Sequence, residues 1–148
     1  MSYLIDTNVF LRSRDASSPH RSECEHAVKS LIESDEAAYV CTQVLAEYWV
    51  VATRPREVNG MGLSVADAAG EIDRIVATFD SLAEPSDGAL RWRDVVVQHS
   101  VMGKPAHDAR LVALMLAHGV THLLTLNPSD FTRYQKITPV TPAEVLNQ

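Results

Sequence analysis

Acidic side chains at separated places in this chain could act together in one piece of chemistry. They are Asp6, Glu47, Asp108 and, towards the C-terminal end, Asp130 with Asn127 close before it. Carboxylates gathered in one pocket repel one another, so such a set persists only when protonated or when a hard cation sits among its oxygens. Mg²⁺ or Mn²⁺ suits it best, because these ions take oxygen ligands and keep several waters. The chemistry that follows is phosphodiester hydrolysis, with a metal-activated water and offset charge on the phosphate and leaving oxygen. Arg12, Arg14, Arg54, Arg56, Lys104 and Arg110 are the basic residues expected to supply local positive charge near such a cleft.

Each acid also has a structural reading. Asp6 could cap the helix that begins at Thr7. Asp108, just inside a helix start, would favour the helix dipole. Asp130 before Phe131 suits a turn or cap. Glu47 differs, because the face assigned to it at helical spacing is Val44, Val50 and Val51, where an unpaired charge is costly.

The elements that must position these residues alternate between strand and helix. Tyr3-Leu4-Ile5-Asp6 reads as a buried strand running into a short helix at 8–13, and a helix over 19–34 follows the start signal Ser17-Ser18-Pro19. A second strand is expected over Ala38–Thr42, then a helix from Gln43 to Thr53 and a loop over Arg56–Leu63. Ser64 caps a helix over Val65–Asp80, and Ser81–Pro85 is a short strand or connector. Helices at 87–101 and 107–118 flank the break Gly103-Lys104-Pro105, the second ending at Gly119. Strands at 123–126 and 137–140 and a terminal helical turn at 142–146 complete the chain. Alternating strands and helices predict a parallel sheet covered on both faces, so acids at strand ends converge at the edge where open α/β sheets place ligands.

At 148 residues, with 46% hydrophobic and 22% charged content, the expectation is one globular domain spanning 1–148. No apolar run approaches the roughly 20 residues that cross a bilayer, and Met1-Ser2-Tyr3 enters a strand without a basic leader, so a cytoplasmic location is expected. Cys24 and Cys41 lack the spacing of a zinc site and read as ordinary thiols. His107 beside Asp108 could support a metal ligand or simply start a helix. The net charge of −6 argues against binding nucleic acid through a broad basic surface, without excluding a nuclease that binds weakly and in a salt-sensitive way.

The segments Leu4-Ile5-Asp6-Thr7-Asn8-Val9, Thr42-Gln43-Val44-Leu45-Ala46-Glu47-Tyr48, His107-Asp108-Ala109-Arg110 and Leu124-Thr125-Leu126-Asn127-Pro128-Ser129-Asp130-Phe131 resemble, in order, the four motifs of PIN-domain ribonucleases. Within that family the chain is similar to the VapC toxins of bacterial toxin-antitoxin pairs, and the resemblance runs from Tyr3 to about Val140. It implies a three-layer α/β/α fold around a mostly parallel sheet and a Mg²⁺- or Mn²⁺-dependent endoribonuclease. The ion would be held by Asp6, Glu47 and Asp108, with the fourth position supplied near Asn127 or Asp130. Thr7 and Thr125 match hydroxyl positions that support the site, and Arg110 stands beside it. The resemblance also implies a homodimer and a small antitoxin inserting into the active-site groove. The chain departs from many relatives in carrying Asn127 where they carry an acid after the threonine, which leaves Asp130 as the nearer carboxylate.

Other readings remain. A PIN-like RNA-processing nuclease outside toxin systems, or an inactive protein- or RNA-binding module, would keep the fold. A receiver-like phosphoacceptor domain would use Asp6, Asp80 and Lys104-Pro105. That domain wants an adjacent acidic pair after its first strand, whereas Thr7 and Asn8 follow Asp6, and it leaves Glu47 unexplained.

Overall fold

Consecutive residues of the first apolar run, Tyr3, Leu4 and Ile5, are all buried, and so are Leu123 and Leu124. Because neighbouring strand side chains point to opposite faces, unbroken burial means that both faces of the sheet are covered. A computed structural model, describing all 148 residues, accounts for this. The strands β1 (Ser2–Ile5), β2 (Ala37–Val40), β3 (Asp80–Ser81), β4 (His122–Leu124) and β5 (Thr138–Val140) form one sheet in the order β3-β2-β1-β4-β5. Every neighbouring pair is parallel.

The helices are α1 (Thr7–Arg14), α2 (Arg21–Glu33), α3 (Thr42–Thr53), α4 (Val65–Thr78), α5 (Gly88–Gln98), α6 (Ala106–His118) and α7 (Pro142–Leu146). Helix α1 packs on α2 and α3, α2 on α7, α3 on α4, and α5 on α6. This is the expected three-layer α/β/α arrangement, closed by one hydrophobic core that joins residues from both ends of the chain. From β1 the chain moves outward to β2 and β3, then returns to place β4 and β5 on β1's other side. The strand order therefore reverses between β1 and β4, the place where open α/β sheets form a ligand crevice beyond their carboxyl ends.

Boundaries differ from expectation for local reasons. The helix expected from Pro19 begins at Arg21, because Ser18 and His20 form a turn in which the Ser18 hydroxyl accepts from the His20 amide at 3.1 Å. Strand β2 stops at Val40 rather than Thr42, so Cys41 joins it directly to α3. The strand expected over 81–85 shrinks to Asp80–Ser81, continued only by the Leu82 amide donating to the Val40 carbonyl at 2.8 Å. Helix α5 ends at Gln98, ahead of Ser100 with its φ of 50°, instead of reaching Val101. Strand β4 ends at Leu124, leaving Thr125 and Leu126 beyond it. As expected, Ser64 caps α4, its hydroxyl accepting from the Asp67 amide at 3.1 Å, and Gly119 ends α6 with a φ of 68°.

Candidate functional site

Asp6 leaves β1 at its carboxyl end and caps α1, and its two oxygens do different things. Oδ1 accepts from the Thr7 amide at 2.8 Å, while Oδ2 accepts from the Thr125 hydroxyl at 2.8 Å. Thr125 follows β4, and the Asp6 amide donates to the Leu124 carbonyl at 2.9 Å, so the acid sits at the point where the strand order reverses. The capping and site readings are therefore compatible. Asp6 is only 9% exposed, and burial pushes its carboxyl up from 3.8 to about 6. Hydrogen bonds from Thr125 and Thr7 pull it down, while the negative charges of Glu47 and Asp108 push it up.

Glu47 is held by both oxygens: Oε2 accepts from the Thr7 hydroxyl at 2.8 Å and Oε1 from the Gln43 side-chain amide at 3.1 Å. The valine face expected for it is not there. Val50 is 54% exposed and Val51 half-buried, because α3 turns Val44, Tyr48 and Ala52 to the core, one i, i+4 stripe. Glu47 lies beside that stripe, half-buried at the edge of an open groove with polar partners.

Asp108 occupies the first turn of α6 and Asp130 the 3₁₀ turn Pro128–Phe131. Burial raises the Asp108 carboxyl, and Asp130 and Glu47 raise it further, while His107 and Lys104 work the other way. Glu47, Asp108 and Asp130 line one groove of about 1110 Å³ with Lys104, Arg110 and Arg133, whereas Asp6 does not line it but is buried and linked to Glu47 through Thr7. None of the four acids takes part in an ion pair, nor do these three basic residues. The unmatched charges of Glu47, Asp108, Asp130 and the three basic residues thus face one space.

Other expectations fare differently. Asn127 is exposed, its side chain makes no hydrogen bond and it does not line the groove, although its amide donates to the Thr125 hydroxyl at 3.1 Å. Of the basic residues expected near the cleft, Arg12, Arg14, Arg54 and Arg56 lie outside the groove; Arg12 pairs with Asp15 and Arg14 with Glu71. Two contributors escaped sequence reasoning. Arg133 has no motif to mark it, whereas Gln43, one helical turn before Glu47, carried a usable i, i+4 signal.

Nor do the acids gather as tightly as expected, since no three His, Cys, Asp or Glu side chains are grouped to hold one ion. Asp6 and Glu47 are joined through Thr7, and Asp108 and Asp130 reach the groove from other elements. This donor set still fits a small hard cation. Mg²⁺ keeps much of its water shell and is commonly bound by one or two carboxylates, and here unpaired carboxylates border a groove with room for water.

The PIN domain family model matches residues 3–137, and the chain belongs to that family. No curated protein matches it significantly. Among solved structures, the fold is similar to VapBC2 from Rickettsia felis, bound to a DNA fragment from its promoter, with a TM-score of 0.70 at 13% identity over 95% of this chain and 98% of that one. It is similar to a toxin-antitoxin complex from Klebsiella pneumoniae at 0.63, with 20% identity over 95% of this chain and 97% of that one. It is also similar to VapC20 from Mycobacterium tuberculosis, a Sarcin-Ricin loop cleaving toxin, at 0.62 and 14% identity over 82% and 86%.

Proposed function

We propose that the chain is a divalent-metal-dependent endoribonuclease and the toxin of a toxin-antitoxin pair. The observation that carries the catalytic part is the ion-pair-free set of Glu47, Asp108 and Asp130 lining one groove, with the buried Asp6, where the sheet order reverses, linked to Glu47 through Thr7. Asp6 and Glu47 would hold the ion, with Asp108 and Asp130 completing its surroundings through ligand or water contacts. When bound, Mg²⁺ or Mn²⁺ supplies an activated water and offsets charge on the attacked phosphate. Thr7 and Thr125 fix the rotamers of the two inner carboxylates through their hydroxyls. Lys104, Arg110 and Arg133 orient the RNA backbone by contacts to its phosphates, which makes binding weaken as salt rises.

The toxin role, a cognate antitoxin, a homodimer and a cytoplasmic setting rest on the VapC-like motifs and on the toxin-antitoxin proteins that share the fold. No helix is long and apolar enough to cross a membrane, which agrees with that setting. Cleavage of end-labelled RNA with Mg²⁺ or Mn²⁺, with EDTA as control, tests the activity. Asp6→Ala and Asp108→Ala should each abolish it, and full metal-dependent cleavage by either variant would refute the assignment.

A further inference from the structure

We propose that Gln43 is a positioning residue of the site, tying Glu47 to the start of α6 so that Glu47 and Asp108 are held towards one ion. This rests on the metal-dependent reading above and adds a residue to it. The Gln43 side-chain nitrogen donates to the Glu47 carboxylate at 3.1 Å and to the His107 backbone carbonyl at 2.8 Å. Both neighbours are pure acceptors, so only the NH₂ end of the amide can satisfy them, and both of its hydrogens are used. The orientation of the side chain is thereby fixed by chemistry.

The position of this link matters because little else spans it. Helix α3 packs on α1 and α4, whereas α6 packs on α5, and the groove opens between residues of α3 and α6. The Gln43–His107 contact is the one hydrogen bond that joins α3 to α6. Glu47 and Asp108 repel each other across this space, each as a carboxylate. A neutral donor anchored on α3 and bonded to α6 counters that repulsion without placing a cation where a metal must sit. A lysine or arginine here would neutralise the acids and compete with the ion. With Thr7 on Oε2 and Gln43 on Oε1, the Glu47 carboxylate is fixed in rotation while its remaining lone pairs stay free.

The test compares the full-length protein with Gln43→Met, which keeps side-chain bulk and removes the donor, Gln43→Ala, and Asp6→Ala as a control for the site. Mn²⁺ affinity is measured directly by titration calorimetry, independently of cleavage. Both Gln43 variants should bind Mn²⁺ about ten- to a hundredfold more weakly, with metal-free melting temperature changed by no more than about 4 °C. Cleavage should recover when Mn²⁺ is raised to saturation. Wild-type affinity in Gln43→Met, with or without a loss in Gln43→Ala, would overturn the proposal and leave Gln43 a packing role at most, while Asp6-dependent Mn²⁺ binding by the wild type would leave the metal reading standing. Failure of the wild type to bind Mn²⁺ would overturn both.

Discussion

Replacing Asp6 by Asn should make the metal-free protein more stable at neutral pH while removing its function. The folded protein holds a proton on Asp6 far more tightly than the unfolded chain does, since the carboxyl rises from 3.8 to about 6 on burial. Stability from this group is therefore fully present below the ordinary carboxylate value and is lost as pH climbs from 3.8 to about 6. Tenfold in proton affinity is worth about 1.36 kcal/mol, so the buried charge costs up to about 3 kcal/mol above pH 7. Asn keeps an acceptor for the Thr7 amide, but its NH₂ group meets the Thr125 hydroxyl as a donor, so that hydroxyl must turn its own hydrogen elsewhere. Allowing for this exchange, Asp6→Asn should gain about 1–3 kcal/mol at pH 8, or roughly 3–9 °C in Tm for a chain of this size.

Urea unfolding of both proteins in EDTA, from pH 4 to pH 8, measures the difference directly. The gain should vanish near pH 4, where the wild-type carboxyl is protonated and equivalent to an amide in charge. Adding Mg²⁺ or Mn²⁺ at pH 8 should reverse the order, because an ion at about a thousand times its Kd stabilises the wild type by about 4.1 kcal/mol and has no carboxylate to meet in the variant. An Asp6→Asn protein that is equally or less stable at pH 8, or whose gain does not change with pH, would refute the account of Asp6 as a buried, uncompensated carboxylate.

Thr125→Val removes the donor to Asp6 Oδ2, so the Asp6 carboxyl should rise further above about 6 and half-maximal Mn²⁺ binding should move to higher pH, as read by calorimetry across a pH series. Tyr48→Phe removes a fully buried hydroxyl without a hydrogen-bond partner; urea unfolding should find the variant unchanged or up to about 1 kcal/mol more stable, and a loss above about 1 kcal/mol would count against that picture.

How far the sequence discloses this fold depends on how local each signal is. Strands β1 and β4 were legible because their apolar runs are short, bounded and buried on both faces. Helix α4 was legible through its spacing and its Ser64 cap. Strand β3 was not, because two exposed residues pairing with the end of β2 carry no periodicity of their own, and their place is decided by β2. Helix ends moved by a few residues wherever a turn such as that around Ser18 satisfied backbone groups before the helix could.

The site divides in the same way. Asp6 was readable because it stands where a strand ends, whereas Thr125, inside the strand expected over 123–126, was marked only by the family resemblance; parallel pairing of β1 with β4 brings the two together. Glu47 was chosen for a reason that fails: it does not lie among valines but beside the core stripe of α3, where polar partners wait. The basic residues depended on helix phase, which local sequence leaves loose, so Arg14 on α1 turns away to Glu71 while Arg133, in no motif, lines the groove. Gln43 shows the limit most clearly, because its second partner is a backbone carbonyl 64 residues away. Any residue type at 107 would present that carbonyl, so no residue pattern there encodes the contact. What encodes it is the packing of α6 on α5 and of α3 on α1, which brings the two helix starts to opposite sides of one groove. A carboxylate pair set this way is assembled by tertiary structure, and its geometry should therefore loosen with the α3–α6 link before the fold itself does.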